Sequence, residues 1–324
     1  MRGRTQRYGL AAVLLGSLLP LAARADTVCR PVPLLVTGID ARGYPDPRWI
    51  AAIRDRIDAG ELAKVATTSR PLTPEEIRWR TAIGAEARGW CGHIPELDAA
   101  FPMIRPPCVV TILLGNQGGD DGFTSGSDAV ALDLAALVRV YGDADLPANR
   151  QLIRRLLSHE YTHLLLHPYL DSIGWSEQWA ARDPFLRALR VLFNEGIANL
   201  RSIEDPAWID AAGHPTNRAR EALAVLEPRM LERLQALGAH PSPEAAARLL
   251  RNISQGELDQ KWGGLPIALW LASETGLDPA RLASQVAAGP DHILELALRN
   301  ADPRYRPAFR ALLDQVPTHV AANR

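Results

Sequence analysis

Two histidines and a glutamate stand at a spacing that suits metal-assisted hydrolysis. The stretch 158–163 reads SHEYTH, with His159 and His163 four residues apart. On an α-helix, residues four apart project from nearly the same side, about one turn along, so their imidazoles can hold one metal ion. Glu160 follows the first histidine, where its carboxylate can reach a water on the metal without binding the metal itself. The spacing therefore predicts a zinc site of the hydrolytic kind.

The helix that must carry this motif is predicted to begin at Pro147. Its apolar positions recur at three- and four-residue steps and lead directly into the motif; they are Leu152, Ile153, Leu156 and Leu157. Without a metal, two imidazoles and a carboxylate on a largely apolar face would cost several kcal/mol per unpaired group. Pro168 is expected to end this helix, which leaves 169–182 as an irregular connection.

A second predicted helix supplies the third ligand. Asp183 and Pro184 provide its cap and first turn, and apolar residues at helical spacing follow as far as Phe193. The helix then enters the stretch 194–199, NEGIAN, in which Glu195 is the natural third zinc ligand.

The pattern HExxH followed by NEGxA resembles the gluzincin metallopeptidases, the thermolysin- and aminopeptidase-like group. It looks most like the uncharacterised predicted zinc proteases of that superfamily. The specific similarity covers about 158–199 and extends more loosely back to Val109. The resemblance implies a zincin-like catalytic domain holding one Zn²⁺, with Glu160 as general base. It also implies that Asn199, where gluzincins often have an aspartate, holds His159 through its amide oxygen.

The residue that would stabilise the transition state has several candidates. Tyr169, His214 and His240 each offer a hydrogen-bond donor, and both histidines lie at Gly/Pro breaks. In the predicted proteases that this chain resembles, a tyrosine is expected shortly before the glycine at 263. This chain has Trp262 there, whose indole can donate a hydrogen bond but cannot act as a phenol.

Two stretches before the motif are predicted strands, namely 109–114 and 129–134. The segment between them, 115–128, is rich in Gly and Asp. It is either a long hairpin connection, or it lets the second strand form the lip of a cleft and offer its backbone to an extended peptide. Calcium binding by three aspartates of this segment is an alternative, although they lack EF-hand spacing; they are Asp120, Asp121 and Asp128.

The first 25 residues have the pattern of a signal peptide. Three arginines precede an apolar run, 10–21, and small residues stand at Ala23 and Ala25. We expect cleavage after Ala25 and export of the mature chain to the periplasm or the medium. The apolar run is too short for a membrane span of about 20 residues, and no later stretch suits one, so no stable membrane insertion is expected.

Export would place the three cysteines in an oxidising compartment. A Cys91–Cys108 bridge is plausible there and would tie a loop ahead of the first strong strand, although Cys29 allows two other single pairings. None has the spacing of a zinc or redox site.

We expect an α+β fold: a zincin-like catalytic domain with a small mixed or antiparallel sheet and an active-site helix, followed by a mostly helical region. Three regions follow the signal peptide: 26–107, mixed α/β; 108–204, the catalytic core; and 205–324, helical and completing the cleft. Early elements are a strand at 32–36 and helices at 46–57 and 73–87. No internal repeat stands out.

Composition limits the remaining function classes. The 324-residue chain has a net charge of −1 and scattered basic residues, which argues against nucleic-acid binding. Arginine replaces lysine almost everywhere, since Lys64 and Lys261 are the only lysines. The favoured hypothesis is an exported zinc metallopeptidase acting on a peptide or protein. Alternatives are a zinc-dependent hydrolase of a non-peptide amide or ester, a non-catalytic metal-stabilised binding protein, and a helical interaction module with an accidental motif.

Overall fold

The structure is a computed structural model that describes residues 32–90, 92–254 and 258–323. Its described part is rich in helix with one small sheet, which confirms the α+β class. The strands are β1 (Val32–Thr37), β2 (Val109–Gly115), β3 (Gly122–Ser125) and β4 (Ala129–Asp133). The helices are α1 (Pro47–Ile53), α2 (Ala59–Thr67), α3 (Pro74–Trp90), α4 (Ile94–Ala99), α5 (Leu134–Tyr141), α6 (Pro147–Ser172), α7 (Glu177–Ala180), α8 (Pro184–Ser202), α9 (Asn217–Gly238), α10 (Pro243–Leu250), α11 (Gly264–Thr275), α12 (Pro279–Ala288), α13 (His292–Asn300) and α14 (Arg306–Asn323).

The four strands form a mixed sheet in the order β1-β2-β4-β3. β1 and β4 both run parallel to β2, whereas β3 pairs antiparallel with β4. The segment after β2 therefore does more than connect two strands, since it crosses to the sheet edge, forms β3 and turns back into β4. Of the two predicted sheet types, the mixed one is confirmed.

The prediction that the 129–134 strand forms the cleft lip is wrong by one strand. β4 pairs with β2 on one side and with β3 on the other, so both of its backbone edges are used within the sheet. The edge belongs to β3, whose sequence GFTS has only four residues and has glycine and serine at its ends. That composition explains why the sequence pattern concealed it.

Side chains of the central strands alternate between two helical layers, as a pleated sheet requires. Val110, Ile112 and Leu114 point into the larger core beneath α3, α5 and α6. Leu113 points the other way, into a smaller core with Trp49 of α1. The sheet is thus covered on both faces, and the larger core continues into the helices that carry the motif.

Three predicted helix starts are confirmed by their caps. Asp46 accepts a hydrogen bond from the backbone N–H of Arg48 at the start of α1. At α3, Thr73 and Glu76 each accept from the other's backbone N–H, at 3.2 and 2.9 Å, which is a reciprocal capping box. Asp183 Oδ1 accepts from the first turn of α8.

Helix α6 does not end at Pro168, contrary to the prediction. Proline removes only its own N–H from the helix, and the buried Tyr169 and Leu170 hold the next turn against the core. The helix ends at Ser172 instead. Gly174, with φ of 83°, and Trp175 donate to the carbonyls of Asp171 and Leu170, which is a Schellman motif. The irregular connection that was predicted is correspondingly shorter and includes the one-turn helix α7.

A short internal repeat that the sequence analysis missed occurs before α1 and before α9. The segments 39–45 and 209–215 read IDARGYP and IDAAGHP. In each, the aspartate side chain accepts from the backbone N–H groups two and four residues on, and the glycine has φ near 85–88°. Each segment also forms an isolated bridge between its isoleucine and its proline. The same turn therefore occurs twice in the chain, each time shortly before a helix.

Helix α8 lies between α6 and α11. Gly196 is an interior residue of α8, where a β-carbon would lie 2.2 Å from Ile267 Cγ2 of α11. The glycine therefore permits close packing of the two helices, and it is not a helix end. α11 is buried on nearly all sides and fixes the depth at which α8 sits.

Some predictions concern residues outside the described ranges. The predicted signal peptide, 1–25, and Cys29 lie there, as does Cys91. Cys108 is disulfide-bonded. Because Cys91 lies outside the described residues, its identity as the partner of Cys108 stays a prediction. Among the described residues, no helix is long and apolar enough to cross a membrane.

Candidate metal centre

Helices α6 and α8 bring the three predicted ligands together. His159 and His163 lie one turn apart on α6, and Glu195 reaches them from α8. One ligand atom from each of the three lies within 4.8 Å of the others. The side chains of His159 and His163 are 10% and 8% exposed, and that of Glu195 is 15% exposed, so the cluster opens to solvent only slightly.

The distances suit a single small cation. The Nε2 atoms of His159 and His163 are 3.0 Å apart, and their rings are nearly perpendicular at 85°. Glu195 Oε2 lies 3.9 Å from His159 Nε2, and Glu195 Oε1 lies 3.6 Å from His163 Nε2. Ligands around a tetrahedral Zn²⁺ with bonds near 2.1 Å are separated by about 3.4 Å. The three side chains therefore fit zinc.

Glu160 lies beside this cluster and faces the edge strand. Its Oε1 is 3.9 Å from His159 Nε2. A β-carbon on Gly122 of β3 would approach the same oxygen to 3.1 Å, so glycine at 122 leaves room for the carboxylate. Glu160 is thus close to the metal position without being one of the three converging ligands.

Burial shifts the protonation of all four groups. It lowers the pKa of His159 well below its ordinary range and that of His163 to about 4, so both imidazoles are neutral, as metal ligands must be. Burial raises the pKa of Glu195 to about 7 and, with the nearby charges of Glu195 and Asp121, raises that of Glu160 to about 8. Ionising both buried carboxyl groups beside neutral imidazoles is therefore costly, and a divalent cation at this point would favour their charged forms.

Asn199 supports Glu195. Its amide nitrogen donates to the backbone carbonyl of Glu195 at 2.8 Å and to Oε2 of the same residue at 3.4 Å. The resemblance to gluzincins implied a contact between the Asn199 amide oxygen and His159. In the structure, His159 instead donates a hydrogen bond to the backbone of Ala198. Asn199 therefore orients a ligand, but the ligand is the glutamate.

The hydrogen bonding of His163, the second histidine, is incomplete among the described residues. The side chain of Asn194 lies close enough to His163 to favour its protonated form, although neither His163 Nδ1 nor Asn194 Oδ1 completes a hydrogen bond among the described residues. An N–H donor opposite a carbonyl oxygen is the usual means of orienting a ligating imidazole. Asn194 Nδ2 is 3.4 Å from His167 Nε2, so the asparagine sits between two histidines of α6.

The three proposed transition-state donors lie elsewhere. Tyr169 points into the core and donates to the carbonyl of Val286 at 2.9 Å. His214 is exposed in the second copy of the repeated turn, with Nδ1 3.4 Å from Asp210 Oδ2. His240 is exposed at the end of α9. None of the three lines the cleft that the described residues form at the cluster.

That cleft has a volume of about 870 Å³ and contains groups that the sequence analysis did not single out. Tyr141 donates to Asp121 Oδ2 at 2.6 Å, and Arg155 Nη1 pairs with Asp205 Oδ2 at 2.9 Å. Lys261 also lines it. No sequence pattern pointed to Tyr141, Arg155 or Lys261, since the rarity of lysine in this chain does not by itself indicate a function.

Two of the three aspartates considered for calcium have side chains directed to protein partners, and the third, Asp128, is exposed. Asp120 pairs with Arg56, and Asp121 accepts from Tyr141 and from the backbone N–H of Gly122. Both carboxylates thus stiffen the loop ahead of β3 at the cleft wall.

A second cluster contains Asp183, His240 and His319. Asp183 Oδ1 caps α8, and its Oδ2 accepts from His319 Nδ1 at 2.6 Å. The rings of His240 and His319 lie 4.8 Å apart with an angle of 31° between their planes, whereas the rings of His159 and His163 are nearly perpendicular. This cluster fastens α14 to the start of α8.

Comparison with known proteins agrees with the geometry. A family model described as "Putative zinc dependent peptidase (DUF5700)" matches residues 102–239, which include β2 to β4 and helices α5 to α9. The match supports a zinc peptidase family, and hence zinc as the metal. No curated protein and no solved structure matches the chain.

Proposed function

We propose that this protein is an exported zinc metallopeptidase of the gluzincin type with a zincin-like catalytic domain. The observation that carries the proposal is the convergence of His159, His163 and Glu195 on one point, with Glu160 beside them in an open cleft. The zinc peptidase family match, which includes all four residues, supports it.

His159, His163 and Glu195 would hold the zinc ion, which when bound would supply Lewis-acid chemistry and lower the pKa of a water toward about 7. Glu160 takes a proton from the water that attacks the scissile carbonyl carbon. It then delivers this proton to the amide nitrogen as the C–N bond breaks. The distance of 3.9 Å between Glu160 Oε1 and His159 Nε2 supports this role for the carboxylate.

An extended peptide would dock on β3. That strand is the edge of the sheet, and its residues 122–124 line the cleft. A substrate added beside β3 would satisfy the free backbone groups of the strand and pass in front of Glu160. The substrate proposed is therefore an unfolded segment of a protein or a peptide.

Export rests on the signal-peptide pattern of residues 1–25. Expression of the full chain in a bacterial host, followed by mass measurement of the periplasmic protein, tests it. A mature N-terminus at Asp26 supports export, and a cytoplasmic chain that retains Met1 contradicts it.

The peptidase assignment is tested with fluorescently labelled casein. We expect chelator-sensitive cleavage by the wild type and loss of at least about 100-fold in Glu160→Gln, with zinc retained. The matched control is Glu221→Gln, an exposed residue of α9 that should cleave like the wild type. Undiminished cleavage by Glu160→Gln would end the assignment of the base. Zinc-dependent cleavage of a non-peptide amide or ester, with casein untouched, would favour another hydrolase; bound zinc without any hydrolysis would favour a binding protein.

A further inference from the structure

The proposed mechanism lacks a donor for the substrate oxygen that becomes negatively charged, and the cleft lining offers few positive groups for this role. Arg56 pairs with Asp120, and Arg155 pairs with Asp205. Arg139 donates to the carbonyl of Gly119 at 3.2 Å. These guanidinium groups are therefore already engaged with the walls.

Lys261 differs from the three arginines. It is half-buried in the cleft lining and makes no hydrogen bond or ion pair with any residue within the described ranges. Its positive charge acts on every member of the site, disfavouring protonation of His159, Glu160, His163 and Glu195. Lys261 thus lines the same cleft as His159, Glu160, His163 and Glu195 and brings a positive charge to it.

The chain around Lys261 is firmly held. Trp262 is fully buried, and its indole N–H donates to the carbonyl of Arg251 at 2.9 Å. Its backbone N–H donates to Asn252 at 3.1 Å. The Arg233 guanidinium lies 5.5 Å from the centre of the indole ring, within cation–π range.

Two glycines that follow Trp262 allow the segment after Lys261 to pack closely against α8. A β-carbon on Gly263 would lie 2.4 Å from Leu192 Cδ2, and one on Gly264 would lie 2.6 Å from Asn199 Nδ2. The backbone after Lys261 is thus in direct contact with the helix that carries Glu195. The four-carbon side chain of Lys261 is flexible, so its ammonium can reach the substrate while the backbone of Lys261 stays in place.

We propose that Lys261 is a catalytic residue whose ammonium donates a hydrogen bond to the scissile carbonyl oxygen as that oxygen gains negative charge. This inference rests on the proposed peptidase function and supplies its missing donor. The oxyanion forms when water adds to the carbonyl carbon. When the intermediate collapses, an electron pair on that oxygen re-forms the C=O bond, and the C–N bonding pair leaves with the amine, which takes the proton carried by Glu160. Lys261 keeps its proton throughout, so the step needs no other reactant.

The test compares Lys261→Met, Lys261→Arg and Lys64→Met with the wild type. Methionine keeps the length of the chain without its charge, and Lys64, exposed on α2, is the matched control. We expect Lys261→Met to keep its zinc and fold and to lose about 100- to 1,000-fold in kcat, with KM changed by less than about threefold. Lys261→Arg should regain part of the rate, and Lys64→Met should match the wild type.

A second readout does not depend on turnover. N-phosphoryl-leucyl-tryptophan presents a charged tetrahedral group to the site, and calorimetry should show its binding weakened by at least about 10-fold in zinc-loaded Lys261→Met. Equal binding to wild type and variant, or none to either, would overturn the proposal. So would loss of zinc from Lys261→Met, which indicates support of Glu195, or a raised KM with unchanged kcat, which indicates recognition of a substrate carboxylate. Absence of zinc or cleavage in the wild type would instead overturn the peptidase function itself.

Discussion

Gly264 packs against Asn199 so closely that a β-carbon at position 264 would lie 2.6 Å from the Asn199 side-chain nitrogen. The same nitrogen donates to both the backbone and the carboxylate of Glu195. The start of α11 therefore fixes the position of the Asn199 side chain, and Asn199 in turn orients Glu195, the third ligand.

Gly264→Ala should disturb this arrangement. The new methyl group must displace Asn199, so we expect a loss of about 1–3 kcal/mol in the free energy of unfolding and weaker zinc binding. Thermal unfolding and chelator competition measure the two effects. Gly89→Ala is the control, because a β-carbon there would have no neighbour within 4 Å. A neutral result at both positions would contradict the role assigned to Gly264.

Asn199→Asp distinguishes the observed contact from the one expected from the sequence. If the side chain supported His159, an aspartate would be tolerated, since it would accept the imidazole N–H at least as well. In the structure the neighbour is Glu195, so a second carboxylate would repel the first and remove a donor. We expect zinc affinity to fall about 10- to 100-fold, measured by competition with a chelator. Unchanged or tighter binding would support the histidine contact instead.

The ligand set could be predicted because its information is local. His159 and His163 share a helix face through their spacing alone, and Glu195 follows from a second short motif on another amphipathic helix. Helix starts were equally accessible, because caps such as Asp46 and Asp183 act within three residues.

Other parts depend on packing that short patterns do not encode. The lip of the cleft was predicted at β4 but lies at β3. Whether a strand is paired on both sides depends on the whole sheet and not on the sequence of that strand. Helix α6 continues past Pro168 because the buried residues next to it compensate for one missing hydrogen bond. The helix ends where Gly174 forms the C-terminal cap. Lys261 lies about 100 residues beyond the motif, and only the folding of α11 against α8 brings it to the cleft.

Asp183 should matter more than an ordinary helix cap. Its two oxygens serve the first turn of α8 and the buried His319, 3% exposed. Asp183→Ala removes both, so we expect a loss of about 3–5 kcal/mol in the free energy of unfolding. Asp278, an exposed cap of α12, is the control, and its alanine variant should lose only about 1 kcal/mol. Chemical denaturation decides, and equal losses would mean that the histidine contact contributes nothing.

The pH dependence of stability should reflect Glu227. Burial raises the pKa of this carboxyl, so the folded state holds its proton more tightly than the unfolded state does. Its contribution to stability is therefore present at low pH and is lost as pH rises from the ordinary value near 4.5 through the folded pKa.

Glu227→Gln removes that titration while keeping an oxygen to accept from the backbone N–H of Asp302. The melting temperature of the variant relative to the wild type should rise between pH 4 and pH 8, measured by circular dichroism. Glu221→Gln, on the exposed face of the same helix, should show no such trend. A difference that stays constant with pH would argue against a buried, proton-holding Glu227.

The central claim is that His159, His163 and Glu195 hold one zinc ion. Metal analysis by mass spectrometry of the purified wild type, Glu160→Gln, His163→Ala and Glu195→Ala tests it most directly. We expect one zinc per chain in the first two proteins and a large loss of zinc in the last two. A wild type without zinc, or full zinc content in His163→Ala and Glu195→Ala, would contradict it.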